Sequence, residues 1–139
     1  MKVLLDSNIA LDVVLKNEPF YESASDVIGL SQGGVGLFIS ASAITDIHYI
    51  VSRAMKSKKI AMSLLKDLLE NIDVAAVTGN EIRLAVNLDW SDFEDAVQYV
   101  AGKSIKVDYI VTRNKADFVS ATLPVVSPDE LLSLLIPKE

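Results

Sequence analysis

Cysteine is absent from this sequence and histidine occurs once, as His48. The first absence excludes disulfides, thiolate metal sites and thiol nucleophiles, and it suits a reducing compartment. A single histidine with no second one beside it argues against zinc, so His48 reads as a core-edge or surface residue. Positive charge is scarce: 13 Lys and Arg face 19 Asp and Glu, for a net charge of -6. On average charge alone such a chain is a poor holder of duplex DNA, whose nonspecific affinity comes from clustered cations. The one dense basic run is Arg53, Lys56, Lys58 and Lys59, which reads first as a solvated helix end and loop. No apolar run approaches a membrane span, and the opening Met1-Lys2-Val3-Leu4-Leu5-Asp6 reaches charge too soon for a signal peptide. A cytoplasmic protein with no membrane partner is therefore expected. Glycine is sparse, and Gln32-Gly33-Gly34-Val35-Gly36 lacks the Lys-Ser/Thr of a phosphate-binding loop and follows a helix. Low-complexity segments, internal repeats and linkers are missing as well.

What is present is 139 residues, half of them apolar. That suffices for one sizeable core, and a single domain over residues 1–139 is expected. Val3-Leu4-Leu5 reads as a buried strand stopped by Asp6, with Ser7 or Asn8 capping a helix behind it. A second helix follows Pro19 and runs to about Leu30. Leu37 to Ser40 is a strand, and Ser42 is expected to cap a helix from Ala43 to about Met55. Ile60 to Glu70 is amphipathic, Ile72 to Val77 is a strand, and Gly79-Asn80-Glu81 opens the next helix. Ser91 is expected to cap an acidic helix from Asp92 to Ala101, with Glu94 as its capping-box partner and Gly102 as its end. Val107 to Val111 and Leu123 to Val126 are further strands. Ser127-Pro128-Asp129-Glu130 starts a terminal helix packed by Leu131, Leu132, Leu134 and Leu135 before Pro137. This alternation predicts an α/β fold, a three-layer α/β/α sandwich around a central, mostly parallel five-stranded sheet.

In such a sheet ligands bind outside the C-terminal strand ends, where the strand order reverses. Asp6 ends the first strand, Asn114 and Asp117 follow the fourth, and Asp46 and Asp95 lie in early turns of helices leaving that edge. Asp92 and Asp95, three apart, share a helix face, and Glu94 is expected to point away. Clustered carboxylates without cysteine or paired histidines suit Mg²⁺ or Mn²⁺, hard ions that take oxygen ligands. Such ions serve phosphodiester hydrolysis by activating water and stabilising the leaving oxygen. The plainer explanation of Asp92 and Glu94 is helix-start chemistry, and of Asp73, Asp89 and Asp129 caps and turns. Asp6, ending an apolar strand, is harder to explain by solubility.

The pattern resembles the PIN domain family, including ribonuclease toxins of the VapC type. The resemblance is carried by Leu4-Leu5-Asp6-Ser7-Asn8-Ile9-Ala10-Leu11-Asp12, Ala43-Ile44-Thr45-Asp46-Ile47, Asp92-Phe93-Glu94-Asp95-Ala96 and Asp108-Tyr109-Ile110-Val111-Thr112-Arg113-Asn114-Lys115-Ala116-Asp117-Phe118. It spans nearly the whole chain. It implies that Asp6, Asp46 and Asp95 are the catalytic, metal-binding carboxylates for Mg²⁺ or Mn²⁺. Asn8, Asp92, Thr112, Arg113, Asn114 and Asp117 would support the site or the substrate. Two departures stand out: Asp46 where the family usually has Glu, and Asn114 where it often has Asp, with Asp117 nearby as a substitute. The resemblance further implies a single-stranded or loop-presented RNA substrate, cleaved by water without a covalent enzyme intermediate. Arg113, Lys115 and the Arg53 to Lys59 run are the candidates for steering phosphates. An antitoxin protein and a second copy are the implied protein partners, the latter through leucines of Leu64 to Leu69 or Leu131 to Leu135. Two other readings compete: a catalytically weak or inactive domain of this fold that binds protein, and an aspartyl phosphatase. The phosphatase would be expected to carry an acid where Asn8 stands.

Overall fold

The computed structural model describes residues 1–135. Five strands alternate with helices: β1 (Lys2–Leu5), β2 (Gly36–Ser40), β3 (Asp73–Ala75), β4 (Tyr109–Val111) and β5 (Val125–Val126). The helices are α1 (Ser7–Val14), α2 (Tyr21–Gly29), α3 (Ala41–Met55), α4 (Lys58–Leu69), α5 (Gly79–Leu88), α6 (Phe93–Ser104) and α7 (Pro128–Leu135). Short 3-10 turns cover Leu30–Gly33 and Lys115–Phe118. The expected sheet is present and wholly parallel, in the order β3-β2-β1-β4-β5. From central β1 the chain builds outward one way through β2 and β3, then the other way through β4 and β5. The switch point therefore lies between β1 and β4.

Alternation along β1 divides the apolar residues between two layers. Val3 and Leu5 join Ile9, Val27, Ile47, Leu68 and Leu131 on the face covered by α1, α2, α3, α4 and α7. Leu4 joins Ala85, Ala96, Val97 and Val100 of α5 and α6 on the other. Helices on both faces leave the parallel strands nearly dry, which is why β1 reads as a continuous apolar run. Most leucines offered for dimerisation serve this core: Leu68 and Leu131 are buried and Leu64, Leu65, Leu132 and Leu135 pack beside them. Leu69 and Leu134 do not; they are 37% and 55% exposed, so Leu134 does not pack α7 as expected. Pro137 lies outside the described residues.

Several expected boundaries shift for local reasons. Ser40, not Ser42, caps α3, its Oγ accepting the Ala43 amide at 3.3 Å. Asp92, not Ser91, caps α6, its Oδ1 accepting the Asp95 amide at 3.0 Å. A capping box forms instead at α5, between Thr78 and Glu81. Gly102 does not end α6. A Cβ there would stand 3.0 Å from Leu4 Cδ2 and 3.2 Å from Val107 Cγ2, so glycine lets the helix lie close against the sheet. Residues Asp95 through Gly102 are buried without interruption, which makes α6 a core helix rather than an amphipathic surface one.

Candidate active site

The parallel register sets Leu5 beside Val111, so the residues after them, Asp6 and Thr112, leave the sheet side by side. The Asp6 amide donates to the Val111 carbonyl at 2.9 Å, continuing the ladder by one bond. Asp6 is 5% exposed and Thr112 is fully buried. The Thr112 hydroxyl donates to Asp6 Oδ2 at 2.7 Å, and its oxygen accepts from the Asn114 amide at 3.0 Å and from Asn8 Nδ2 at 3.4 Å. Thr112 thus holds Asp6, Asn8 and the start of the Asn114 loop together. Asn8 Oδ1 is buried with no hydrogen-bond partner among the described residues.

Asp95, in the first turn of α6, comes to the same crevice and is 9% exposed. Its neutral contact is Gln98 Nε2, donating to Oδ1 at 3.4 Å, while Gln98 Oε1 accepts the Ser7 amide at 3.3 Å. Gln98 therefore ties the third acid to the helix that follows the first. Burial first, then the charges of Asp6, Asp92, Asp117 and Glu94, raise the Asp95 carboxyl to about 7. No cation is among these influences.

Glu94 does not point away. Its carboxyl is raised by burial first and then by the charges of Asp46 and Asp92, so it lies near Asp46. Glu94 lies in the first turn of α6, a helix that packs against α3. Asp46, the sixth residue of α3, is exposed and reaches the crevice rim alongside Glu94. Asp117 stands across a 300 Å³ cleft that Asp92, Trp90 and Val119 also line. Trp90, stacked on Tyr99 at 4.9 Å and edge-on to Phe118 at 6.0 Å, fixes the turn that carries Asp117. Asn114 is exposed, and its side chain caps nothing.

Arg113 is not poised to steer phosphates. Its Nε and Nη2 donate to Asp12 Oδ2 at 2.6 Å and Oδ1 at 3.3 Å. Its guanidinium also lies over the Phe20 ring at 4.0 Å. Asp12 is wholly buried and receives a further bond from Asn17 Nδ2 at 3.1 Å. Arg113 is thus committed to neutralising a core carboxylate. Lys115 is held by Glu130 at 2.8 Å.

Carboxylate oxygens that repel one another and the unpartnered Asn8 oxygen match a hard cation. The positions are not closed on one point: among the described residues, no group of three or more acidic or histidine side chains is close enough to hold a metal. Asp6 and Asp95 act on one another, and Asp46 stands near Glu94 at the rim, without the three forming a ready ligand set.

Sequence reasoning gave no site role to Gln98 or Asp12, and it gave Glu94 only a capping role. Gln98 could have been flagged as the one polar residue in Ala96-Val97-Gln98-Tyr99-Val100-Ala101, and Asp12 as a charge one turn beyond the apolar Ile9 and Ala10. Nothing in the sequence marks Glu94 as a neighbour of Asp46.

Solved structures share this architecture. VapBC2 from Rickettsia felis, bound to a promoter DNA fragment, aligns with TM-score 0.72 and 19% identity over 91% of this chain and 98% of that one. VapBC-1 from nontypeable Haemophilus influenzae aligns with TM-score 0.71 and 15% identity over 93% and 99%. VapC20 from Mycobacterium tuberculosis, a sarcin-ricin loop cleaving toxin, aligns with TM-score 0.64 and 11% identity over 78% and 86%. No curated protein matches the sequence. Identities this low speak for the fold alone. The sequence itself matches the PIN domain family over residues 2–116, and with the parallel sheet and the acids at its switch point, the chain belongs to that family.

Proposed function

We propose that this protein is a divalent-metal-dependent endoribonuclease hydrolysing RNA phosphodiester bonds, with Asp6, Asp46 and Asp95 as its catalytic, metal-holding acids. The observation that carries the reading is Asp95, a buried carboxyl surrounded by other carboxylates and left without a cation. Such an arrangement is costly unless a positive ion completes it. Bound there, Mg²⁺ or Mn²⁺ would activate a water and stabilise the leaving oxygen. Thr112 orients Asp6 through its 2.7 Å bond, and Gln98 orients Asp95. Glu94 lies near Asp46 at the rim and adds a further carboxylate there. Asp92 and Asp117 add negative charge, and Asn8 and Asn114 add neutral oxygens near the strand ends.

The VapC-type neighbours support a toxin role, one of them being a toxin that cleaves an RNA loop and others belonging to toxin-antitoxin complexes. On this reading an antitoxin blocks the crevice, a second copy is a further partner, and the cytoplasm is the site of action. The domain is taken as one unit over residues 1–139.

Cleavage of a panel of single-stranded and hairpin RNAs in Mn²⁺, Mg²⁺ or EDTA tests the proposal. Activity should require metal and fall about a hundredfold or more in Asp6→Asn and in Asp95→Asn. Intact RNA throughout, with no metal binding by calorimetry, would favour a noncatalytic protein-binding module. The open spacing of the acids and the uncharged Asn114 are the observations on that side.

A further inference from the structure

The dense basic run is not a plain helix end. The C-terminal half of α3 and the start of α4 border an open, shallow cavity of about 550 Å³ lined by His48, Tyr49, Ser52, Arg53, Lys56, Ser57 and Lys58. Three of these residues are cations and none is acidic. Among the described residues, the only ion pairs are those of Arg113 and Lys115, so the three cations face no carboxylate partner. The backbone shapes the cavity. Lys56 adopts φ 53°, ending α3, and Ser57 is extended and caps α4 by accepting the Ile60 amide at 3.1 Å. The first turn of α4 therefore brings its partial positive charge to the same place. His48 Nε2 is buried at the wall with no hydrogen-bond partner among the described residues. Tyr49 is 59% exposed, with the Arg53 guanidinium 5.6 Å from its ring centre and Nη1 donating to its hydroxyl at 2.8 Å.

Position gives this cavity its meaning. Asp46, Tyr49 and Arg53 fall at i, i+3 and i+7 on α3, one exposed stripe running from the acidic crevice to the basic cavity. The rise of the helix sets Arg53 and Lys56 roughly 10 to 15 Å from Asp46. That is the span of a few nucleotides of extended strand. In a chain of net charge -6, a cation cluster without acids at that distance attracts a polyanion and holds it away from the repelling centre.

We propose that the α3–α4 junction is a binding site for the sugar-phosphate backbone of single-stranded RNA. Arg53, Lys56 and Lys58 hold a phosphate, and the open face of Tyr49 stacks a neighbouring base. The site deepens the ribonuclease reading and rests on it for its biological sense, because it would anchor the strand whose scissile phosphate lies at the acids. RNA is favoured over an acidic peptide by the flat aromatic beside the cations: bases stack on such a ring, whereas Asp and Glu side chains offer nothing to it.

The test separates binding from cleavage. Fluorescence anisotropy of a labelled single-stranded RNA in EDTA, across a salt series, compares the wild type with Arg53→Gln/Lys56→Gln/Lys58→Gln and with Tyr49→Ala. A control with the same charge change elsewhere is Lys16→Gln/Lys66→Gln/Arg83→Gln, and melting curves establish that each variant is folded. The cavity variant should bind about tenfold or more weakly, with a salt slope reduced by about 0.7, the share of one phosphate contact on a single strand. Tyr49→Ala should lose about tenfold with its salt slope unchanged. Equal weakening in the control variant, or wild-type affinity and slope in the cavity variant, overturns the proposal. So does displacement of the RNA by a polyglutamate peptide together with full affinity in Tyr49→Ala, which would assign the surface to a protein partner. RNA binding that depends on the cavity in a protein that cleaves nothing in Mn²⁺ would sustain this site and remove the ribonuclease reading. Metal-dependent cleavage with cavity-independent binding would do the reverse.

Discussion

Two buried carboxylates, Asp12 and Asp95, sit on helices beside the same sheet and are treated in opposite ways. Asp12 is wholly shielded and answered by two guanidinium nitrogens and an amide, with an aromatic ring covering the arginine. Asp95 is nearly as buried, yet it faces Asp6, Asp92, Asp117 and Glu94, with one long amide contact as its relief. A fold can bury a charge by supplying its partner from within. Where it withholds the partner and adds further like charges, the free energy is left for a ligand to recover. The comparison separates a carboxylate that holds the protein together from one that is held ready.

The sharpest way to break the contrast is to strand Asp12. Arg113→Ala should cost about 3 kcal/mol or more, because it leaves a buried charge unanswered. Arg113→Lys should restore only part, keeping the charge without the paired geometry. Urea titration measures both, and a loss below about 1 kcal/mol in the alanine variant would mean that water reaches Asp12.

The opposite sign is expected at Asp95. Its folded value, about 7, lies above the ordinary 3.8 of an aspartate. Its contribution to stability is thus fully present below pH about 4 and is lost as pH rises through about 7. Asp95→Asn should therefore stabilise the metal-free protein, with an advantage that grows between those limits, levels off above them and reaches about 2 kcal/mol, solvent screening removing about half of the full value. Denaturation in EDTA across this range provides the check. A pH-independent difference would show that the neighbouring acids do not act on Asp95.

The smallest effect concerns the ion itself. Mn²⁺ at about five times its dissociation constant should stabilise the wild type by about 1 kcal/mol. Asp95→Asn should respond less and Arg113→Lys as the wild type does, since Asp12 already has its cation. Melting curves with and without metal distinguish the two carboxylates directly.

Much of this was legible in the chain. Apolar runs separated by helical stretches set the parallel sheet, and Asp6 announced itself by ending a strand that has no other polar residue after Lys2. Other features were misread because one residue type serves two purposes. Gly102 looked like a helix terminator and is a close-packing residue under Leu4. Ser91 and Ser42 looked like caps, but Asp92 and Ser40 took those positions. Each shift moves a helix start by one or two residues.

The sequence by itself determined the order of the elements, the faces they bury and the arrival of acids at one edge of the sheet, because hydrophobic period and capping chemistry act over a few residues. Tertiary structure alone decided which charges meet. Thr112 and Asp6 are 106 positions apart and Arg113 and Asp12 are 101 apart. Whether such residues join depends on the register of β1 against β4 and on how closely α6 rides the sheet, and no local pattern encodes either. The register gave Arg113 to Asp12, so the arginine that looked ready for substrate became part of the core, and Asp95 was left among acids with its charge unanswered.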